Sequence, residues 1–381
     1  MEGNVCHCIR KLQLVLTGTP NIQSLRRWGE QLKGQWRRAF KRKYGNLLGL
    51  ASVEVLPATL STLTQYYDLP LKCFTFRDFQ LTLTLEEYER KKSEWSGRDP
   101  RNDLGGKAPE EEDWPAFVDV YGLLVYGIML FPQIEHYVDL VAIDAFLGRQ
   151  DRGEHPIVAV LANTYYTLDY CNMRNGNKLR CCTTQLFLRL IAQLFHNSKK
   201  TRCPIKDHYW SCVKLLTKAE WTARLDEATK RSIRWYPHWN ERDDVIIYCG
   251  GFPNVPLMGT KGAINCNPEL TLHQARYPMV LPPSEEVVTP FILHDLGIQE
   301  GEHFKKIHQA WKKTIRKGPE WGLRSCEASS SYKSWLQHRV ESIFLTFGDP
   351  RIEAEERKLV GLQRHSKRKR KELDSRGNEE S

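Results

Sequence analysis

The chain has 381 residues, of which 41% are hydrophobic and 10% aromatic, so it carries enough apolar material for a sizeable core and wholesale disorder is excluded. The longest nearly uncharged apolar run, residues 120–131, contains two glycines and stops at Pro132, well short of the roughly 18 apolar residues of a membrane-spanning helix. The net charge of +10 lies at the ends, since residues 1–60 carry ten Lys or Arg against three acids and residues 357–371 carry eight against none.

The N-terminal sequence and the cysteines predict an intracellular protein. No apolar run of signal-peptide length follows the first charged residues, so secretion is not expected. The eleven cysteines form no CxxC pair, and buried thiols are therefore favoured over disulfides or structural zinc. The nearest approach to a zinc site is the spacing Cys203-x4-His208-x3-Cys212.

The first predicted element is a helix over residues 24–44. Its apolar residues recur at intervals of three and four, which places them on one stripe facing the core, and Gly45 is placed to end the helix. The other face is cationic, and a merely solvated face is the alternative to a binding surface. We predict contacts with the phosphates of a nucleic acid by Arg26, Arg27, Arg37, Arg38, Lys41, Arg42 and Lys43.

A β-hairpin is predicted next, at residues 73–84. Apolar and polar side chains alternate there on either side of Arg77 and Asp78. Thr84 and Glu87 have the spacing of a capping box, so a helix is expected to begin at that point. Residues 93–113 contain helix breakers and charge but little to bury, and they are predicted to be an exposed linker.

Helical periodicity dominates the rest of the chain. Residues 245–249 are the one further short extended segment that we expect. The predicted fold class is therefore mainly α, a multi-helix globule with a small β-hairpin. The predicted helices cover residues 114–131, 137–147, 156–170, 183–195, 302–317 and 332–344, with a weaker candidate at 221–235.

Four parts make up the predicted domain organisation. Residues 1–92 hold the basic helix and the hairpin, residues 93–113 the linker, residues 114–347 the helical main body, and residues 348–381 a basic polar helix or disordered tail. The main body is expected to form one globule with residues 20–92. The tail contains a basic run that suits the groove of a nuclear import receptor or a phosphate backbone. It consists of Lys367, Arg368, Lys369, Arg370 and Lys371.

Motifs for enzymatic chemistry are absent from the sequence. Residues 250–262 resemble a phosphate loop, but Thr260 precedes Lys261 and two prolines remove amides, so a rigid surface loop is favoured. We predict no cofactor, no metal, no small-molecule substrate and no catalytic residue. Four carboxylates could in principle pair on a metal ion for phosphodiester chemistry, although nothing in their spacing requires such a site. They are Asp139, Asp144, Asp243 and Asp244.

Several strings resemble one family of proteins. They are RRAFKRKYGNLLGL (37–50), LTQYYDLPLKCFTFRDFQLTLTLEEYER (63–90), LFPQIEHYVDLVAIDAFL (130–147) and GFPNVPLMGTKGAINCNPELTLHQARYPM (251–279). The family is a plant, mainly legume, group of uncharacterised proteins related to the transposon-associated plant mobile domain, also called aminotransferase-like. The resemblance implies a mainly helical globule with a small hairpin, an association with mobile elements, and no catalytic residues. Nothing around Lys261 resembles a pyridoxal-phosphate site.

The combined hypothesis is a non-enzymatic, mobile-element-derived nuclear protein. Its expected partners are nucleic acid or chromatin and a nuclear import receptor, with no membrane contact. One rival is a protein-interaction scaffold that binds a partner helix through aromatic residues such as Trp28 and Trp311. The second rival is a metal-assisted phosphodiesterase, which requires carboxylates that converge in a cleft.

Overall fold

The computed structural model of the protein describes residues 8–10, 22–85, 114–132, 138–152, 156–173, 178–194, 218–235, 244–259, 262–288, 292–294, 301–317, 325 and 327–346. Two compact units are distinguished. The smaller unit consists of residues 1–12 and 341–381, and the larger unit of residues 13–340.

Short elements come first. They are β1 (Cys8–Arg10), α1 (Gln23–Gln31), α2 (Gly34–Tyr44), α3 (Leu47–Ala51) and α4 (Pro57–Leu63). A 3-10 turn over Thr64–Tyr66 leads into an antiparallel sheet of three strands, β2 (Tyr67–Asp68), β3 (Cys73–Thr75) and β4 (Gln80–Thr82).

Longer helices follow the sheet. They are α5 (Trp114–Val125), which continues as a π-helical turn over Tyr126–Leu130, α6 (Leu140–Arg152), α7 (Ile157–Met173), α8 (Thr183–Leu194) and α9 (Lys218–Asp226). The predictions at 114–131, 156–170 and 183–195 are confirmed. The helix predicted at 137–147 begins at Leu140 instead and continues to Arg152.

Strands and helices alternate in the last third. The elements are β5 (Val245–Cys249), β6 (Val255–Gly259), β7 (Gly262–Cys266), α10 (Pro268–Gln274), α11 (Glu285–Val288), β8 (Ile292–His294), α12 (Gly301–Lys312), β9 (Thr314–Lys317), α13 (Ser330–Ile343) and β10 (Phe344–Thr346). Helix is the predominant structure, so the mainly α class is confirmed. Within the described residues, none of the helices combines the length and apolar character needed to cross a bilayer.

The predicted helix over residues 24–44 is two helices in the structure. The two residues before Gly34 are extended, and Gly34 has a φ of 53°, a left-handed value that glycine adopts without strain. The apolar stripe survives the break, because Leu25 and Phe40 are both fully buried. Gly45 ends α2 as predicted, with a φ of 72°.

Aromatic side chains join α1 and α2 to the helical body. The ring centroid of Phe40 lies 5.2 Å from that of Tyr121, and Tyr44 stacks on Phe146 at 5.5 Å. The Tyr121 hydroxyl also donates to the Leu25 carbonyl at 2.9 Å. Each aromatic pair contributes about 0.5–1.5 kcal/mol beyond the area it buries. The apolar sides of both helices are therefore fixed on α5 and α6.

The hairpin predicted at residues 73–84 is partly confirmed, since its strands span only Cys73–Thr75 and Gln80–Thr82 and a third strand extends it. β3 and β4 pair antiparallel with Phe74 opposite Leu81, while β2 pairs with the other edge of β3. The polar strand residues Thr75, Gln80 and Thr82 are also buried, because α7, α10 and α13 pack around the sheet and supply hydrogen bonds. For example, the Tyr332 hydroxyl of α13 donates to the side-chain carbonyl of Gln80 at 2.9 Å.

The prediction of a surface loop at residues 250–262 is partly wrong. Residues 255–259 form β6, which pairs with β7 so that Leu257 lies opposite Ile264, and both side chains are fully buried. β6 also packs closely on α7, since a Cβ atom added at Gly259 would lie 2.9 Å from the Cβ of Ala162. The other extended segment, residues 245–249, is confirmed as β5.

Two predicted helices end early. The helix predicted at 302–317 stops at Lys312, and the next residues form β9 against β5. Side chains alternate along a strand, and Ile315 is exposed opposite Tyr248. The helix proposed at 221–235 stops at Asp226, and a series of turns follows it.

The last predicted helix, at 332–344, is confirmed as α13. In the smaller unit, β1 and β10 pair antiparallel with Ile9 opposite Leu345. Leu85 is helical, in agreement with the helix start predicted after Thr84. The rest of that helix, the linker at 93–113 and the tail at 348–381 lie outside the described residues.

Candidate nucleic-acid interface

Four cations of α2 form a solvent-facing ridge beside the face that carries its buried aromatic residues. This α2 ridge consists of Arg37, Arg38, Lys41 and Arg42, which are all exposed. Residues four apart are neighbours on a helix surface, so the ridge is two adjacent rows of two cations. Arg27 of α1 is exposed as well.

Two of the seven predicted contact residues are held by the protein itself. The Arg26 guanidinium donates to the carbonyls of Ala51 and Val53, both at 2.8 Å, and so joins α1 to the end of α3. The Lys43 ammonium lies 2.6 Å from a carboxylate oxygen of Asp119 on α5. These two cations are structural, which leaves Arg27 and the α2 ridge as the candidate interface.

Asp119 also accepts a hydrogen bond from the Tyr44 hydroxyl at 2.7 Å. Burial, followed by this hydrogen bond, raises the pKa of Tyr44 well above its usual value. The phenol therefore stays protonated and keeps donating to the carboxylate. Asp119 thus connects α2 to α5 through both Lys43 and Tyr44, directly beside the α2 ridge.

The α2 ridge has no internal partner among the described residues. The sequence of α2, GQWRRAFKRKY, contains no acid, and no described carboxylate lies within ion-pair distance of the ridge. Like charges four apart destabilise a helix by about 0.2–0.5 kcal/mol per pair, whereas cations in its last turn stabilise it by about 0.3–1 kcal/mol each. Since Lys41, Arg42 and Lys43 lie in the last turn, the ridge is stable without a ligand and remains free for one.

A buried ionic network lies beneath the hairpin, and the sequence analysis did not find it. Lys72, at the start of the hairpin, pairs with Asp169 of α7, and the two side chains are only 1% and 3% exposed. The Tyr67 hydroxyl donates to the second carboxylate oxygen of Asp169 at 2.8 Å. Arg339 of α13 forms a two-pronged contact with Asp68, at 2.6 and 2.9 Å.

This network is better explained as structural than as catalytic. Burial, followed by the charge of Asp68, raises the pKa of the Cys73 thiol, so the thiolate that a nucleophile requires is absent at neutral pH. The pKa of Tyr67 is raised by burial and by Asp169. The only local sign in the sequence is Lys72 itself, a single cation in the apolar run LPLKCF. Its partner is 97 residues away.

Three of the carboxylates considered for metal chemistry belong to the described residues, and they lie at different places in the fold. Asp139 and Asp144 lie at the start of α6 and along it, and Asp244 precedes β5. Within the described ranges, no group of three or more His, Cys, Asp or Glu side chains could hold a metal ion. Candidates that fall outside the described residues are Asp243, the set Cys203, His208 and Cys212, and the basic run 367–371.

The two tryptophans considered for partner binding differ in exposure. Trp28 is 38% exposed, whereas Trp311 is half-buried and its indole N–H donates to the Pro256 carbonyl at 2.8 Å. Trp311 therefore joins α12 to β6.

Comparison with known proteins gives a family. No curated protein and no solved structure matches the chain. Residues 25–99 and 102–341 match the family described as a domain of unknown function, DUF7745. The match covers well over half of the chain and includes the α2 ridge and the hairpin, but not the basic run at 367–371. The protein therefore belongs to the DUF7745 family.

Proposed function

We propose that this protein is a non-enzymatic nuclear protein that associates with nucleic acid or chromatin, and that Arg27 and the α2 ridge contact its phosphates. One observation carries the proposal: five exposed cations lie on two consecutive helices, with no described acid within ion-pair distance. Solubility requires net charge but not its concentration on two consecutive helices.

The geometry of α2 suits a phosphate backbone. Residues four apart on a helix are separated by about 6 Å along its axis, and phosphates on one DNA strand rise by about 3.4 Å each. The side chains of Arg37 and Lys41 can therefore reach separate phosphates of one strand. Such contacts position a protein on a duplex but carry little sequence information, so we expect binding without a strong base preference.

Two further parts of the proposal rest on the sequence alone. The run at residues 367–371 supports import into the nucleus. The resemblance, over most of residues 20–345, to a plant family related to the transposon-associated plant mobile domain supports an origin in mobile elements.

Binding to a labelled DNA duplex across a salt series tests the role of the α2 ridge. Each neutralised phosphate contributes about −0.9 to the slope of log affinity against log salt concentration. The variant R37Q/R38Q/K41Q/R42Q should therefore bind more weakly at low salt, with a slope shallower by up to about 4. Fluorescence anisotropy of the full-length chain measures both quantities.

The matched control is K305Q/K306Q/K312Q/K313Q, which removes four exposed cations from α12 and its end. It should retain most of the affinity and of the salt slope. Equal loss in both variants would contradict an interface on α2, because it would indicate attraction by net charge alone. Wild-type protein that binds no duplex even at low salt would overturn the proposal. Salt-insensitive binding would instead favour the scaffold alternative.

A further inference from the structure

A second cationic site lies in the turns that follow α9. A cavity of about 530 Å³ opens there, between residues 230–235 and the segments around Arg276 and Glu327. Its described lining contains four cations, one acid and two apolar residues: Lys230, Arg231, Arg234, Arg276, Glu327, Ile233 and Trp235. The sequence analysis assigned residues 221–235 to a helix and did not consider these cations as a group.

Backbone hydrogen bonds fix the wall formed by residues 230–235. The Lys230 N–H donates to the Asp78 carboxylate at 3.1 and 3.3 Å, and its carbonyl accepts from the Trp235 indole N–H at 3.0 Å. The Arg234 N–H donates to the Gln193 carbonyl of α8 at 2.8 Å. The side chains of Lys230, Arg231 and Arg234 therefore extend from a backbone that is hydrogen-bonded to the hairpin turn and to α8.

The opposite wall holds a residue in an unfavourable backbone conformation. Arg276 has a φ of 70°, in the left-handed region that a side chain with a Cβ atom rarely adopts. Hydrogen bonds maintain it, because its N–H donates to the His273 carbonyl at 2.9 Å and its own carbonyl accepts from the Ser325 N–H at 2.6 Å. Non-glycine residues held in this region are concentrated at ligand-binding and catalytic sites.

The charges of the site are not neutralised from within. No described carboxylate, including that of Glu327, lies within ion-pair distance of the four cations. Asp78 is close by, but it is engaged with the backbone of Lys230. Burial and the charge of Lys230 lower the pKa of His273, behind Trp235, to about 4, so this imidazole is neutral at pH 7. The lining therefore carries a net charge of +3 around one cavity.

We propose that this cavity binds a di- or triphosphate group. The net charge of +3 on the described lining matches the three to four negative charges of such a group. Guanidinium groups also bind pairs of phosphate oxygens through parallel hydrogen bonds. The volume lies within the range of about 300–1,000 Å³ that is usual for small-molecule pockets. The group can come from inorganic polyphosphate or from a nucleotide, whose base would meet the apolar side formed by Ile233 and Trp235. This site is independent of the α2 ridge.

Titration calorimetry of the full-length chain with sodium tripolyphosphate, pyrophosphate, ATP and orthophosphate at constant ionic strength tests the proposal. Tripolyphosphate should bind saturably and at least tenfold more tightly than orthophosphate. ATP that binds more tightly than tripolyphosphate identifies a nucleotide as the ligand, and ATP that binds more weakly identifies inorganic polyphosphate.

Variants locate the binding. R231Q/R234Q should lose at least tenfold in tripolyphosphate affinity, while R224Q/K312Q, which removes two exposed cations elsewhere, should stay within twofold of wild type. R37Q/R38Q/K41Q/R42Q should also stay within twofold, which separates this site from the interface proposed on α2. Thermal melts check that each variant is folded. Absence of saturable tripolyphosphate binding, or wild-type affinity in folded R231Q/R234Q, would overturn the proposal.

Discussion

Burial determines the chemistry of single side chains in this protein. Burial raises the pKa of Cys171 to about 11 and that of Cys182 to about 12, so both thiols are protonated at neutral pH and are poor nucleophiles. Six cysteines of the described residues are buried thiols: Cys73, Cys171, Cys181, Cys182, Cys249 and Cys266. The prediction that the cysteines are buried thiols is confirmed for these residues.

His273 should make the stability of the protein depend on pH. It is only 4% exposed, and burial lowers its pKa from 6.5 to about 4. In the unfolded chain it takes up a proton near pH 6.5, whereas in the native protein it does so only near pH 4. The free energy of unfolding should therefore decrease as the pH falls from 6.5 to 4, by up to about 3 kcal/mol, with no further contribution below pH 4.

Urea denaturation of wild type and His273→Phe between pH 7.5 and pH 4 measures this contribution. The phenyl ring preserves the edge-on contacts with Trp235 and Tyr332 and cannot take up a proton, so the variant should lose less stability on acidification. His308→Gln changes an exposed histidine on α12 and should behave as wild type. An identical loss in His273→Phe and wild type would show that other groups cause the pH dependence.

At the scale of elements, the break between α1 and α2 determines which cationic side chains pack on the protein and which face solvent. α1 is fixed by Arg26 on α3, and α2 is fixed by Lys43 and Tyr44 on Asp119. Each helix thus contributes one cation to packing and presents the others to solvent. The turn at Gly34 allows this arrangement, because it lets the two helices orient independently.

The substitution Gly34→Ala tests the break between α1 and α2, because a break and a continuous helix predict changes in stability of opposite sign. A Cβ atom at Gly34 would meet nothing within 4 Å, so no clash is involved. The left-handed φ should cost alanine about 1–2 kcal/mol, whereas in a continuous helix alanine would stabilise by about 1 kcal/mol over glycine. Chemical denaturation, which measures the free energy of unfolding, distinguishes the break from a continuous helix. Gly34→Asn should be milder, since asparagine tolerates this conformation, and a stabilised alanine variant would refute the break.

At the scale of the whole molecule, the positive charge is divided between surfaces with different surroundings. The α2 ridge is an open helix face suited to an extended polyanion, and the cavity beside Arg276 suits a compact one. Residues 367–371 add a third cationic segment outside the described part of the chain. These three groups are far apart in the sequence and can be altered separately.

Nuclear import should depend on the basic run. A fluorescent fusion of the full-length chain is expected to accumulate in nuclei, and K367Q/R368Q/K369Q/R370Q/K371Q should reduce the nuclear fraction severalfold, because import receptors bind such runs through their charge. The α2 ridge variant, which removes four positive charges instead of five, serves as the control and should still enter. Unchanged nuclear accumulation of the fivefold variant in microscopy would refute the assignment of the import signal.

Local patterns predicted much of this fold correctly. The stripe through Leu25 and Phe40, the hairpin around Arg77 and Asp78, and most helix positions follow from the spacing of apolar residues and from glycine at helix ends. Errors occurred where a partner distant in sequence decided the conformation. The most direct case is Thr314–Lys317, which has a helical pattern but pairs as β9 with β5.

The sequence by itself determined the fold class, the buried thiols and the concentration of positive charge, because these depend on composition and on spacing within one or two turns of helix. Only the tertiary structure decided which cations are free. Arg26 and Lys43 find partners in α3 and α5, while Lys230 and Arg276, 46 positions apart, face one cavity. Contacts between residues so far apart depend on how the elements pack, and no local spacing encodes that.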